Sequence, residues 1–138
     1  MMDKHILFIS DKKSMIADAL IQRLESESFK IRHARPNVTD ISRVLGDPVS
    51  NVPQIWIMYM QGTERRLKEM LLYTTEQLTE SHIRFFIIGT AEEAEENLRH
   101  IPRTHIREIF HRPFNADAII DRLTEENQKI RSLSESIC

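Results

Sequence analysis

The sequence predicts an α/β domain built on a five-stranded parallel sheet, and three observations carry that expectation. Apolar runs alternate with amphipathic stretches along the whole chain, the pattern of parallel strands joined by crossover helices. The runs HILFIS, QIWIMYM and IRFFIIG are almost continuously apolar, as strands covered on both faces are. The 138 residues, 41% hydrophobic and 29% charged, suit one domain with a buried core.

Each element has its own signal. HILFIS (5–10) reads as the first strand. SMIADALIQRLESES (14–28) follows as a helix, with Met15, Ile16, Ala19, Leu20 and Leu24 on one face. FKIRHA (29–34) alternates apolar and polar residues and suits a strand nearer an edge. In PNVTDISRVLGD (36–47), Asn37 can cap a short helix and Gly46 can end it. A loop from Pro48 to Pro53 leads to the buried strand QIWIMYM (54–60). The stretch 63–82 reads as a long helix, with Leu67, Met70, Leu71, Thr74 and Leu78 at helical spacing. IRFFIIG (83–89) is the most apolar strand. TAEEAEENLRHI (90–101) is an acidic helix that opens on a capping box, Thr90 at the N-cap and Glu93 three residues on. IREIF (106–110) is the fifth strand, and 115–134 is a long last helix.

Right-handed crossovers leave few topologies for this order. The flavodoxin-like order 2-1-3-4-5 fits, with helices on both faces, because the first strand is fully apolar and the second mixed. Functional residues in such folds lie at the carboxyl ends of the central strands. Those ends are Ser10-Asp11, Tyr59-Met60-Gln61, Gly89-Thr90 and His111-Arg112.

Composition removes several functions. No apolar run approaches the roughly 18 residues of a membrane span, and MMDKHILFIS lacks the pattern of a signal peptide. A net charge of -2 gives no general attraction to nucleic acid. The single cysteine, Cys138, excludes a disulfide framework within the chain. The six histidines form no helical i, i+4 pair, so no metal site is expected. SDKKS has no glycine for close approach to a phosphate or flavin. The expectation is a cytoplasmic protein without cofactor, metal, membrane or direct nucleic-acid contact.

The pieces ILFISDKKSM, PQIWIMY, FFIIGTAEEA and IFHRPF, in this order on these strand ends, resemble the receiver domain of two-component response regulators. The resemblance covers residues 4–126 and leaves 127–138 as an extension of the last helix. It implies phosphoryl transfer to an aspartate. That chemistry needs an acceptor carboxylate ending strand three and an acidic pair after strand one for Mg²⁺. It also uses a hydroxyl residue after strand four and a Lys before a Pro after strand five. Here the acidic pair falls on Ser10 and Asp11, and the acceptor on Tyr59. The hydroxyl is kept at Thr90. The lysine becomes Arg112, which keeps the charge and changes its geometry, and Pro113 and Phe114 follow as in the family. A phenol, neutral near pH 7 with a reference pKa of about 10, cannot replace the carboxylate. These five residues therefore read as a degenerate pocket in a non-enzymatic, phosphorylation-independent pseudo-receiver. The alternatives are a working phosphoreceiver with a non-standard acceptor and a small flavodoxin-like ligand-binding protein.

Plainer roles compete at each position. Thr90 serves first as a helix cap. Asp11 holds its loop or pairs with Arg112. Tyr59 is an amphipathic side chain at the rim of the core. The resemblance also implies a cis bond at Arg112-Pro113. The acidic EEAEE (92–96) is followed by a basic segment, an order that is self-complementary across a two-fold axis. A homodimer is therefore expected through the face of helix four, strand five and helix five, with Arg99, Arg107, Ile109, Ile120 and Leu123 as interface candidates. Ile120, Leu123, Asn127, Ile130, Ser134 and Ile137 keep a three-four spacing, a short heptad pattern. This suggests a helix that dimerises and leads into a fused output domain.

Overall fold

The protein is described by a computed structural model over residues 5–10, 14–48, 52–60, 69–70, 72–74, 76, 83–97, 99 and 106–137. In chain order the elements are β1 (His5–Ile9), α1 (Met15–Ser26), β2 (Lys30–Ala34), α2 (Val38–Leu45), β3 (Ile55–Tyr59), β4 (Arg84–Gly89), β5 (Ile106–His111) and their helices. The helical positions 69, 70, 72–74 and 76 are α3. α4 is Ala91–Asn97 and α5 is Ala116–Ile137. The strands form one sheet in the order β2-β1-β3-β4-β5, every neighbouring pair parallel. The flavodoxin-like order read from the sequence is therefore the order found.

Alternation along each strand divides the core into two layers. On one face Leu7, Ile9, Trp56, Met58, Phe85 and Ile87 pack with Ile41 and Val44 of α2 and Met70 of α3. On the other, Ile6, Phe8, Ile57, Tyr59, Phe86 and Ile88 pack with α1 and α5. The helices begin where capping predicts. Ser14 Oγ accepts from the Ala17 amide at 3.3 Å, and Asn37 Oδ1 accepts from the Asp40 amide at 2.8 Å.

Three expectations are corrected here. In α1 the buried stripe is Ala17, Leu20 and Leu24, while Met15 is 90% and Ile16 58% exposed. Residues 14–16 are the cap and first turn, and a stripe at i, i+3, i+7 starts one turn later. In α5, Ile120 and Leu123 are 6% and 0% exposed within the single chain, packed on Ile119 and the β-sheet, so neither can line an interface. Asn127 and Ile130 are also buried, with Ile130 in the same cluster. Their three-four spacing is the stripe that docks α5 on the sheet.

Candidate functional site

The register brings four strand ends to one edge. Tyr59 lies opposite Ile88, and Gly89 lies opposite His111. The ladder continues one residue beyond the strands, with Met60 N–H to Ile88 O at 2.8 Å and Arg112 N–H to Gly89 O at 3.0 Å. Thr90 and Arg112 are thereby fixed side by side. Arg112-Pro113 is cis, and Asn115 Oδ1 then caps α5 by accepting from the Asp117 amide at 2.9 Å.

Tyr59 is buried within the core rather than at its rim. It is 4% exposed, stacked on Phe8 at 6.2 Å and edge-on to Phe114 at 6.4 Å. The Arg112 guanidinium lies over its ring, 5.7 Å from the centroid, within cation–π range. Strand alternation explains the placement, since Tyr59 shares a face with Ile57 and Met60 turns into the opposite layer.

Arg112 has a partner that the sequence reading did not assign to it. Its Nη2 forms an ion pair with Glu93 Oε1, while the expected partner Asp11 falls outside the described residues. The same oxygen accepts from the Thr90 amide at 2.8 Å, while Thr90 Oγ1 accepts from the Glu93 amide at 3.1 Å. The capping box of α4 is thus complete, and its carboxylate also satisfies the cation of β5. Gly89 makes room for this. A Cβ there would stand 3.2 Å from Met60 Cβ and 3.5 Å from Glu93 Oε1. Burial works against the Glu93 charge, but the Thr90 amide and Arg112 outweigh it and hold the carboxyl below its ordinary pKa. Burial likewise opposes the Arg112 charge, yet Glu93, then Tyr59, keep its pKa raised. Arg112 Nε is buried with no hydrogen-bond acceptor among the described residues.

Ser10, 4% exposed, is engaged elsewhere. Its Oγ lies 2.8 Å from His33 Nε2 on β2. Asp11 lies outside the described residues. Among the described residues, the side chains present do not fit the Mg²⁺ implied by the resemblance. Ser10 offers a hydroxyl already held by His33, Tyr59 offers a ring in the core, and the Glu93 carboxylate is taken by Arg112 and Thr90. Among the described residues no three His, Cys, Asp or Glu side chains converge.

Of the other interface candidates, Arg99 and Arg107 are exposed, and Ile109 is half-buried against the Leu7 layer. Arg107 Nε meets Glu126 Oε1 at 3.3 Å. Among the described residues, no helix is long and apolar enough to cross a membrane. The missed residues are His33, which had no local signal, and Glu93 and Glu126. Glu93 was legible as a cap but not as the partner of a residue 19 positions away. Glu126 was legible only as an i, i+4 neighbour of Arg122.

No family model matches the chain, and no curated protein sequence matches it. Solved structures do. The receiver domain of the Francisella response regulator 1452 superposes with a TM-score of 0.66 at 12% identity, covering 91% of this chain and 98% of that one. A response regulator receiver domain protein from Clostridium thermocellum gives 0.67 at 18% identity, covering 94% and 98%. NtrX from Brucella abortus gives 0.65 at 20% identity, covering 95% of this chain but 29% of that one. The chain thus has the fold of the receiver domains of two-component response regulators.

Proposed function

We propose that this chain is a phosphorylation-independent pseudo-receiver, a non-enzymatic regulatory and protein-interaction module of a two-component-type signalling protein. The observation that carries the reading is the Glu93–Arg112 ion pair. In a phosphoryl-transfer site the cation after strand five must be available to the incoming charge. Here a carboxylate of the same chain occupies it, anchored by the Thr90 amide at 2.8 Å. The buried Tyr59 ring supplies no acceptor. Control then rests on partner binding rather than on a covalent phosphate.

The test is a beryllofluoride and Mg²⁺ titration followed by amide NMR. The expected result is no saturable shift at Thr90, Glu93 or Arg112. Saturable shifts at those residues would return the chain to the working phosphoreceivers.

The same reading includes a homodimer through the α4–β5–α5 face. Support comes from charge, with exposed Glu92 and Glu95 on α4 and exposed Arg99 and Arg107 beyond it. Ile120 and Leu123 take no part, so the contact is polar and salt-sensitive. Light scattering is expected to show a dimer at high micromolar concentration and low salt; a monomer there rejects this part of the reading.

A further inference from the structure

The opening turn of α4 has little apolar anchorage. Of residues 91–95, Ala94 is buried and Glu93 partly buried, while Ala91, Glu92 and Glu95 are exposed. By comparison, α1 buries Ala17, Leu20 and Leu24, and α2 buries Ile41 and Val44. One alanine methyl removes little area from water, and a single helical turn has no stability of its own. Polar contacts therefore weigh heavily in where this turn sits.

Glu93 supplies those contacts. Its Oε1 accepts from the Thr90 amide at 2.8 Å and pairs with Arg112 Nη2. The Glu93 side chain is 13% exposed and that of Arg112 28%, so the pair is partly shielded from water and salt. Arg112 is itself fixed. Its amide donates to Gly89 O at 3.0 Å, and its guanidinium lies over the Tyr59 ring, 5.7 Å from the centroid. The caps of α1 and α2 are local: Ser14 and Asn37 each accept from an amide of their own helix. The α4 cap also reaches the residue that follows β5. Because one oxygen serves both the cap and the cross-link, the two are coupled.

We propose, resting on the regulatory reading above, that Glu93 and Arg112 form a latch that positions the opening turn of α4 against β5. The latch arranges this part of the α4–β5–α5 face from within the chain. When the pair is broken, Thr90 still caps the turn, but the turn is free to move away from β5.

The experiment is amide hydrogen exchange, followed by NMR, on the chain and on four variants. These are Glu93→Gln, Arg112→Gln, Arg112→Lys and the double variant Glu93→Gln with Arg112→Gln. Exchange reads local opening. At the Glu93 and Ala94 amides it is expected to quicken about fivefold in each single Gln variant, the loss of one charge-assisted hydrogen bond. The double variant goes no further than the singles, because both break the same contact. Arg112→Lys keeps a cation and retains most of the protection. The Asp18 and Ile41 amides, bonded in the first turns of α1 and α2, stay unchanged, which separates a latch from a general loss of stability. Unchanged exchange at Glu93 and Ala94, an equal rise at Asp18 and Ile41, or additive effects in the double variant each overturn the latch. The beryllofluoride titration reads the pseudo-receiver assignment separately: saturable shifts there reject that assignment, whereas the latch fails on the exchange rates alone.

Discussion

Glu93 and Arg112, on α4 and after β5, are joined through a single carboxylate oxygen that also accepts the Thr90 amide at 2.8 Å. One side chain therefore closes a helix cap and occupies the basic group of the strand-end cluster. The two roles separate by substitution. Glu93→Gln keeps the cap, since glutamine serves in a capping box, and removes only the ion pair. Its expected cost is about 1 kcal/mol for a part-buried pair whose side chains are 28% and 13% exposed. Glu93→Ala removes both and costs about 2 kcal/mol. Urea denaturation of the two variants checks the order.

The same relationship sets a pH dependence. The Glu93 carboxyl is held below its ordinary value of 4.5 in the folded chain. Between the folded and unfolded values the unfolded chain binds more protons, so stability rises with pH there. The contribution is complete above the ordinary carboxylate value and is lost as pH falls through the lower folded one. The stability difference between the parent chain and Glu93→Gln is accordingly expected to be largest near neutrality and to shrink below pH 4.5. An unchanged difference at acidic pH would remove Glu93 as its source.

How far the sequence showed this can be read from particular residues. Continuous apolar runs such as IRFFIIG revealed β4, because burial on both faces leaves no polar position to confuse the period. Thr90 and Glu93 were legible as a cap because capping is local, three residues apart. The Arg112 partner was not, because it depends on which loops the sheet register brings together. The same limit applied to α5. Ile120, Leu123, Asn127 and Ile130 have one spacing whether they face a second helix or their own sheet, and only the packing decides.

Tyr59 gives a third prediction. Tyr59→Phe keeps the contacts with Phe8 and Phe114 and loses only the hydroxyl beside Arg112, at a cost of about 1 kcal/mol. Tyr59→Asp places a carboxylate where a receiver has its acceptor. It also removes a buried ring from the core, for about 3–5 kcal/mol. Neither substitution is expected to confer beryllofluoride binding, because Ser10 still lacks a carboxylate and Glu93 still holds Arg112. Fluorine NMR of Tyr59→Asp with beryllofluoride is the check; a bound signal would show that the acceptor alone had been missing.

Glu126 tests what holds α5 on the sheet. It is 2% exposed and meets Arg84, Arg107 and Arg122. Removing one partner of a buried ionic group is costly because the others stay buried and charged. Glu126→Ala leaves Arg84, with a side chain 10% exposed, beside two more guanidiniums. The expected loss is about 3–5 kcal/mol. Arg107→Gln, at the solvent end of the network, costs under about 1 kcal/mol. Urea midpoints should therefore fall steeply for Glu126→Ala and little for Arg107→Gln. In the double variant Glu126→Ala with Arg107→Gln, part of the loss is recovered, because fewer like charges face one another. If the double variant is no more stable than Glu126→Ala, repulsion among the arginines is not the source of the cost, and lost packing of α5 is.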